Sequence, residues 1–271
     1  FPTRRSSDLR GRYLSEIDIE IVCQIAKKAG EAILAVYQGD DFEVLKKDDD
    51  SPVTVADRVS NAVIEKELLQ FYPEIPIVSE EGENVEYQIR KDFEYFWLID
   101  PLDGTKEFIS KNGEFTVNIA LIRNGEPILG VVYAPVLDRL YYAKKGFGAY
   151  LSKDGEIKKL PFHSNTEKCV IVASKSHNSP DTQAFIESIK TSRKKEFIAM
   201  GSSLKLCLVA EGTADIYPRL APTMEWDIAA AHAVCLESEK LVEGYASKEI
   251  LKYNKPNMLN QWFVCRGINL Q

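Results

Sequence analysis

Two apolar, β-rich segments separated by Asn124-Gly125 constrain the fold of this chain more than any other feature of its sequence. The segments cover residues 115–122 and 128–134. Asn-Gly favours the left-handed backbone of a two-residue turn, so the pattern predicts an antiparallel β-hairpin. Two further β-rich segments, 75–79 and 96–99, precede the hairpin. The first half of the chain is therefore expected to form an antiparallel-rich sheet.

Helical periodicity is clearest before this sheet. Apolar positions predict a first helix over residues 14–37, with Ser15 and Asp18 at its N-terminal cap and Gly39 just past its end. A short strand-like segment and a polar loop follow, and then the spacing predicts a second amphipathic helix over residues 54–71. Two consecutive helices are thus expected to precede the sheet.

Strand and helix patterns alternate in the second half of the chain, beyond the turn-rich residues 146–155. The predicted order is strand 169–173, helix 180–190, strand 197–200, helix 203–211, strand 215–217 and helix 227–236. Such alternation indicates a sheet covered by helices, so the fold class expected is α/β (α+β). The expected organisation is a disordered or non-native segment (1–13), an N-terminal lobe (14–155) and a smaller C-terminal α/β lobe (156–271), with a seam near 152–165.

Composition limits the functions open to the chain. Its 271 residues, 45% of them hydrophobic, can bury a sizeable core. The net charge of −7 and the pI near 5.2 argue against a basic surface for long nucleic acids. Five dispersed cysteines without a C-x-x-C pair indicate reduced thiols, neither disulfides nor a zinc site. No apolar run of roughly eighteen residues predicts a transmembrane segment, and a cytoplasmic location is expected.

An apolar strand that ends at a carboxylate carries the strongest chemical signal. In the stretch 97–105, Pro101 is expected to interrupt strand pairing. Asp100, Asp103 and the Leu102 carbonyl can then converge on one point. Hard oxygen donors of this kind suit Mg²⁺ better than zinc. Taken alone, the two aspartates are equally compatible with plain turn formation.

Further acidic residues stand at other predicted strand ends or helix starts. Glu80 and Glu81 follow a strand, whereas Asp57 and Asp227 lie at helix starts. Each has a simpler interpretation: a solvated loop for the glutamates, a capping box for Asp57 and a helix-dipole contact for Asp227. Together, however, these groups are typical of a site that binds several metal ions in a phosphatase.

Four acidic motifs occur in the order and spacing of one known family. They are Asp57 at the end of 51–57, Ser79-Glu80-Glu81, Asp100-Pro101-Leu102-Asp103-Gly104-Thr105 and Trp226-Asp227. In these motifs, and over residues 15–264, the chain resembles the inositol monophosphatase superfamily. The resemblance implies a layered αβαβα sugar-phosphatase-like fold and a magnesium-dependent phosphomonoesterase.

A closer resemblance singles out one branch of that superfamily. The stretches 106–109, 112–121, 130–135, 201–205 and 209–212 are similar to bacterial 3′(2′),5′-bisphosphate nucleotidases linked to sulfate assimilation. An ordinary inositol phosphatase is expected to carry T-x-N after D-G, which this chain lacks. The branch implies hydrolysis of adenosine 3′,5′-bisphosphate to AMP and phosphate, with 3′-phosphoadenosine 5′-phosphosulfate as a candidate second substrate.

The resemblance also implies roles for individual residues. Two or three Mg²⁺ would be held by Glu80, Asp100, the Leu102 carbonyl, Asp103 and Asp227. Glu80 and Thr105 would orient and deprotonate the attacking water, and Asp57 would join them beside a further metal position. The backbone N–H groups of Gly104 and Thr105 would hold phosphate oxygens. Nucleotide contacts are expected from Ser174, Lys175, His177, Ser203, Lys205, Arg219, Asp227 and Asn260.

Two other functions stay open at this stage: an inositol or sugar phosphate phosphatase, and a non-catalytic protein that senses the nucleotide. Inhibition by Li⁺ and Ca²⁺ is expected from the family. The protein is expected to be a monomer or a homodimer, either free in the cytoplasm or peripheral at the inner membrane face. Residues 231–239 lack the glycine pair that the family usually has before its next strand, which leaves the end of the last helix undefined.

Overall fold

The computed structural model describes residues 17–39, 44–46, 52–163, 167–173 and 179–267. Its helices are α1 (Ile19–Tyr37), α2 (Val55–Phe71), α3 (Tyr87–Arg90), α4 (Thr105–Ile109), α5 (Pro180–Ser188), α6 (Leu204–Glu211) and α7 (Glu225–Glu237). Its strands are β1 (Val44–Lys46), β2 (Pro52–Thr54), β3 (Ile77–Ser79), β4 (Tyr95–Asp103), β5 (Thr116–Arg123), β6 (Glu126–Ala134), β7 (Arg139–Lys144), β8 (Gly148–Lys153), β9 (Glu156–Lys159), β10 (Lys168–Ala173), β11 (Lys194–Ala199), β12 (Ile216–Arg219), β13 (Lys240–Gly244) and β14 (Phe263–Gly267).

Strands β3 to β9 form a seven-stranded sheet in chain order, in which β3 and β4 are parallel and the other neighbours antiparallel. The predicted hairpin is confirmed, because β5 pairs with β6 and both Asn124 and Gly125 have positive φ, 49° and 78°. The stretch 146–155 was expected to consist of turns and instead contains β8. Gly146 and Gly155 do turn, but the residues between them pair with β7.

A second sheet of five strands has the order β11-β10-β12-β14-β13. Strand β10 is parallel to both β11 and β12, whereas β14 is antiparallel to its neighbours. The predicted alternation of strands and helices is confirmed from β10 to α7. Strands β13 and β14 were not predicted, because their short segments carry polar and apolar residues without a clear period of two.

Helices and sheets stack in five layers, which confirms the expected αβαβα architecture. Helices α1 and α2 cover one face of the seven-stranded sheet, where Trp97 and Ile99 are buried. The opposite face, with Phe96 and Leu98, packs against α6 and α7 in a core shared with the five-stranded sheet. Helix α5 packs on the outer face of that second sheet, through Ile186. Because β4 is buried on both faces, its residues 95–99 form a continuous apolar run.

Helix α7 lies directly on the seven-stranded sheet. A Cβ added to Gly130 of β6 would stand 2.1 Å from the Ala230 carbonyl oxygen, so glycine is needed for this close approach. At the other end of α7, Glu239 takes the left-handed conformation, with φ 61°, in place of the missing glycine. The Ser238 hydroxyl donates to the Val234 and Cys235 carbonyls and completes this end of the helix.

The helix starts agree in part with the sequence. Asp18 caps α1 by accepting from the Glu20 N–H at 2.9 Å, whereas Ser15 lies outside the described residues. The helix begins at Ile19, later than residue 14. Thr54 and Asp57 form the predicted capping box of α2.

None of the described helices combines the length and apolar character needed to cross a membrane.

Candidate active site

Three carboxylates from distant parts of the chain meet at one edge of the seven-stranded sheet. Oxygen atoms of Glu80, Asp100 and Asp227 all lie within 4.8 Å of one another. Strands β3 and β4 are parallel neighbours, so their carboxyl ends lie side by side, and the Glu80 N–H donates to the Ile99 carbonyl at 3.1 Å. Asp227 lies in the first turn of α7 and contributes the third carboxylate. Acidic groups that are far apart in the sequence are therefore close together at this edge of the sheet.

A break in the β4–β5 ladder shapes this edge. Asp100 pairs with Asn118 and Asp103 with Thr116, and the register shifts between the two aspartates. The Pro101 carbonyl accepts from the Ser60 hydroxyl at 2.7 Å, which anchors the break to α2. The predicted interruption at Pro101 is thus present, although pairing resumes at Asp103. Leu102 lines the same cleft as Asp100 and Asp103.

Asp57 serves the helix cap and the site at once. Its Oδ2 accepts from the Thr54 N–H and hydroxyl, both at 2.7 Å. Its Oδ1 accepts from the Thr105 hydroxyl at 3.3 Å. Burial raises the pKa of this carboxyl, although the bonds from Thr54 oppose the rise. The capping and catalytic interpretations of Asp57 are therefore compatible.

Gly104 turns the chain from β4 into α4 with φ 94°, in the left-handed region where glycine is favoured. An added Cβ there would also come within 3.3 Å of the Glu114 carbonyl oxygen. The turn places the N–H groups of Gly104 and Thr105 at the start of α4, beside the acidic cluster. Backbone N–H groups at such a position can donate to an anion.

The cluster is electrostatically unfavourable without a cation. Burial raises the pKa of Asp100 well above its usual range, and Glu80, Asp103 and Asp227 raise it further. Burial likewise raises the pKa of Asp227 well above its usual range, with Asp103 and Glu80 adding to it. The pKa of Asp103 rises to about 6 through burial, against the attraction of Lys205. Repelling carboxylates with a nearby carbonyl are a donor set that fits Mg²⁺.

A cleft lined by Lys205 and Arg219 adjoins the cluster and shares Asp103 and Asp227 with it. Lys205 is 8% exposed, and its ammonium lies 5.7 Å from the centre of the Tyr217 ring. Burial lowers the pKa of Lys205 to about 8. Arg219 donates to the Pro222 carbonyl at 2.9 Å, and its buried Nε has no partner among the described residues. This cleft can therefore receive a second anionic group next to the metal-binding edge.

The other predicted nucleotide contacts have different surroundings. The Ser203 side chain is 2% exposed, and its hydroxyl donates to Asn118 at 2.8 Å. Asn260 donates to the Met224 carbonyl at 2.7 Å and so holds the segment before α7. Ser174, Lys175 and His177 lie outside the described residues.

Sequence reasoning missed part of the cleft wall. Thr223, Met224 and Leu259 line it, and Met224 forms an isolated β-bridge with Leu259. Single residues in irregular segments have no periodic pattern, so the sequence offered no signal for them. Lys106 and Glu107 also line the cleft, and their place directly after Thr105 would have indicated it.

Comparison with known proteins points to one family. The model of the inositol monophosphatase family matches residues 15–249. The curated 3′(2′),5′-bisphosphate nucleotidase CysQ of Salmonella typhimurium is 43% identical over 246 residues, which cover 90% of this chain and 98% of that protein. The nucleotidase CysQ of Buchnera aphidicola is 45% identical over 219 residues, 80% of this chain and 81% of that protein.

Solved structures agree with these sequence matches. CysQ from Bacteroides thetaiotaomicron, described as a bacterial member of the inositol monophosphatase family, superimposes with a TM-score of 0.79 at 41% identity and covers 90% of this chain and 94% of its own. An inositol monophosphatase of Thermotoga maritima gives a TM-score of 0.73 at 28% identity, over 92% of this chain and 91% of its own. The acidic sheet edge thus occurs in a chain whose fold matches these proteins over 90–92% of its length.

Proposed function

Because the chain belongs to the inositol monophosphatase family, we propose that it is a 3′(2′),5′-bisphosphate nucleotidase, a magnesium-dependent phosphomonoesterase that hydrolyses adenosine 3′,5′-bisphosphate to AMP and phosphate. The observation that carries the proposal is the approach of Glu80, Asp100 and Asp227 to within 4.8 Å, with the cleft that holds Lys205 and Arg219 beside them. The first feature suits a phosphate that is cleaved, and the second suits a phosphate that is only bound.

The acidic edge would hold the metal ions through Glu80, Asp100, Asp103, Asp227 and the Leu102 carbonyl. Bound Mg²⁺ supplies positive charge that stabilises the phosphoryl group in the transition state and makes a water molecule more acidic. The number of ions, two or three, is part of the proposal. Inhibition by Li⁺ and Ca²⁺ is proposed on the same ground, since such a site depends on the small radius and octahedral geometry of Mg²⁺.

Thr105 and Asp57 would move the proton of the attacking water. Two donors from Thr54 occupy Oδ2 of Asp57, which leaves Oδ1 to accept from the Thr105 hydroxyl. The hydroxyl of Thr105 can therefore pass a proton to Asp57 as it receives one from the water, while Glu80 orients that water. The N–H groups of Gly104 and Thr105 would donate to oxygens of the 3′-phosphate.

Lys205 and Arg219 would hold the 5′-phosphate. They line the cleft that adjoins Asp103 and Asp227, so a ribose bound between the two regions can present one phosphate to each. A dianion beside Lys205 favours its protonated form and so opposes the effect of burial. An inositol monophosphate has no second phosphate to fill this cleft, which is why the bisphosphate is preferred over it.

A substrate panel tests the function directly. Phosphate release is measured from adenosine 3′,5′-bisphosphate, from 3′-phosphoadenosine 5′-phosphosulfate and from inositol 1-phosphate, with Mg²⁺ and with EDTA. We expect the highest kcat/KM with adenosine 3′,5′-bisphosphate, and no release in EDTA. Equal or greater activity on inositol 1-phosphate would reject the nucleotidase assignment, and tight nucleotide binding without release would support a sensor instead.

The division of the chain into two lobes, the cellular location of the protein and its monomeric or dimeric state stay predictions.

A further inference from the structure

We propose that Asn118, acting through Ser203, is a positioning residue that sets the distance between the metal-binding edge and the cation that receives the 5′-phosphate. The inference rests on the proposed function and adds a determinant of its specificity. Asn118 lies on β5 opposite Asp100, and it is 1% exposed. It therefore acts on the substrate only through other residues.

A buried polar triangle joins the seven-stranded sheet to the start of α6 at this point. The Ser203 hydroxyl donates to Asn118 Oδ1 at 2.8 Å and lies 2.9 Å from the Thr116 hydroxyl. The Thr116 hydroxyl also donates to Asn118 Oδ1, at 3.2 Å. Asn118 and Thr116 belong to the seven-stranded sheet, whereas Ser203 directly precedes α6. The triangle thus fixes the start of α6 against β5.

The same segment is tied to the metal-binding edge by its backbone. The Ser203 N–H donates to Asp103 Oδ2 at 2.5 Å, and the Gly201 N–H donates to Glu114 Oε2 at 2.8 Å. Between them Ser202 has φ 48°, which is unfavourable for a residue with a side chain. A Cβ added to Gly201 would stand 2.7 Å from the Glu114 carbonyl oxygen. The strained backbone of Ser202 and the close approach at Gly201 thus both occur where this segment contacts the two regions of the cleft.

The position of Lys205 depends on this segment. It lies in the first turn of α6, two positions after Ser203, and it is almost fully buried in the wall of the cleft. Loss of the triangle would free the start of α6 to move, and Lys205 would move with it relative to Asp103. Asn118 is not there for stability alone, because its buried Nδ2 has no partner among the described residues, and an unpaired buried donor is destabilising.

The test compares substrates with and without a 5′-phosphate. Asn118→Ala removes the acceptor for Ser203, and Thr116→Val removes one hydroxyl at nearly constant volume, with Thr116→Ser as the variant that keeps it. Ser238→Ala is the matched control, since Ser238 is equally buried and its hydroxyl bonds lie at the far end of α7. For each variant, kcat/KM is measured with adenosine 3′,5′-bisphosphate and with adenosine 3′-monophosphate. Binding of 5′-AMP in EDTA is measured by calorimetry, and unfolding is followed in urea.

For Asn118→Ala we expect kcat/KM with the bisphosphate to fall about tenfold, mainly through KM, and 5′-AMP to bind about tenfold more weakly, as expected for a misplaced charged hydrogen bond. With the 3′-monophosphate the change should stay under about threefold. Thr116→Val should lower kcat/KM selectively for the bisphosphate in the same way, but by a smaller factor. Thr116→Ser should keep the wild-type values. Ser238→Ala should lower stability without changing kcat/KM for either substrate.

Equal losses with both substrates, or unchanged 5′-AMP binding, would overturn the inference. A wild-type protein that releases no phosphate from the bisphosphate would instead refute the proposed function, so the two failures are distinguishable.

Discussion

Asp103→Asn is expected to make the metal-free protein more stable while abolishing its activity. Folding raises the pKa of Asp103 from 3.8 to about 6, chiefly through burial. A carboxyl with a raised pKa in the folded state binds protons more readily there, so its contribution favours folding at low pH and is lost as pH rises through 6. Once both states are ionised, the difference corresponds to about 3 kcal/mol of destabilisation. Asparagine keeps the shape and removes that cost.

Thermal unfolding in EDTA measures this gain. At pH 8 the variant should unfold about 6–12 °C above the wild type, since about 1 kcal/mol shifts Tm by about 2–4 °C in a protein of this size. At pH 4 the gap should nearly close, because the wild-type carboxyl is then protonated when folded. Glu83→Gln, at an exposed loop position near the end of β3, is the control and should show no such gap.

Magnesium should reverse the order. The wild type gains stability by binding Mg²⁺, whereas the variant has lost a ligand charge and should gain little. If Asp103→Asn is less stable than the wild type in EDTA at pH 8, or if the gap does not depend on pH between 4 and 8, burial of the charged Asp103 carboxylate does not destabilise the metal-free protein.

Three further substitutions test other parts of the structure. Lys205→Met keeps the packing of the stem but removes the ammonium, so kcat/KM for the bisphosphate should fall about tenfold to a hundredfold in steady-state assays, with little change for adenosine 3′-monophosphate. Gly130→Ala should cost about 1–3 kcal/mol in urea unfolding, because its Cβ meets the Ala230 carbonyl, whereas Gly267→Ala, with no described atom within 4 Å of the added Cβ and no left-handed backbone, should change stability by about 1 kcal/mol or less. Glu239→Gly should raise stability by about 0.5–1 kcal/mol, because it relieves a left-handed residue; a loss would show that Glu239 makes a contact in solution.

Local patterns predicted α1, α2, β3 to β6 and the elements from β10 to α7, whereas β7, β9, α3 and α4 were not predicted. The Asn124-Gly125 turn, the two N-terminal helices and the alternation after residue 167 follow from spacing that neighbouring residues impose on one another. Strand β8 was not predicted because the glycines at its ends are typical of turns and outnumber the strand-forming signals in so short a segment. The last strand pair, β13 and β14, depends on partners 19 to 27 residues apart along the chain.

The carboxylates of the site could be predicted because residues at the carboxyl ends of parallel neighbouring strands lie side by side. Glu80 directly follows β3 and Asp100 lies on the parallel neighbour β4, so their convergence needs only the pairing of β3 with β4. The position of Lys205 relative to Asp103 could not be derived in that way, because it requires the segment before α6 to pack against the end of β4.

The packing of α7 on the seven-stranded sheet affects metal binding. Asp227 joins the cluster from α7, which lies on β6 at Gly130, where there is no room for a side chain. Repulsion among Asp227, Asp100 and Glu80 pushes α7 away from the sheet edge, whereas a bound cation draws them together. Metal binding and the docking of α7 are therefore coupled, and each must strengthen the other by the same free energy. A variant that loosens α7 without touching a ligand should consequently weaken Mg²⁺ binding by as much as it weakens the stabilisation that Mg²⁺ confers.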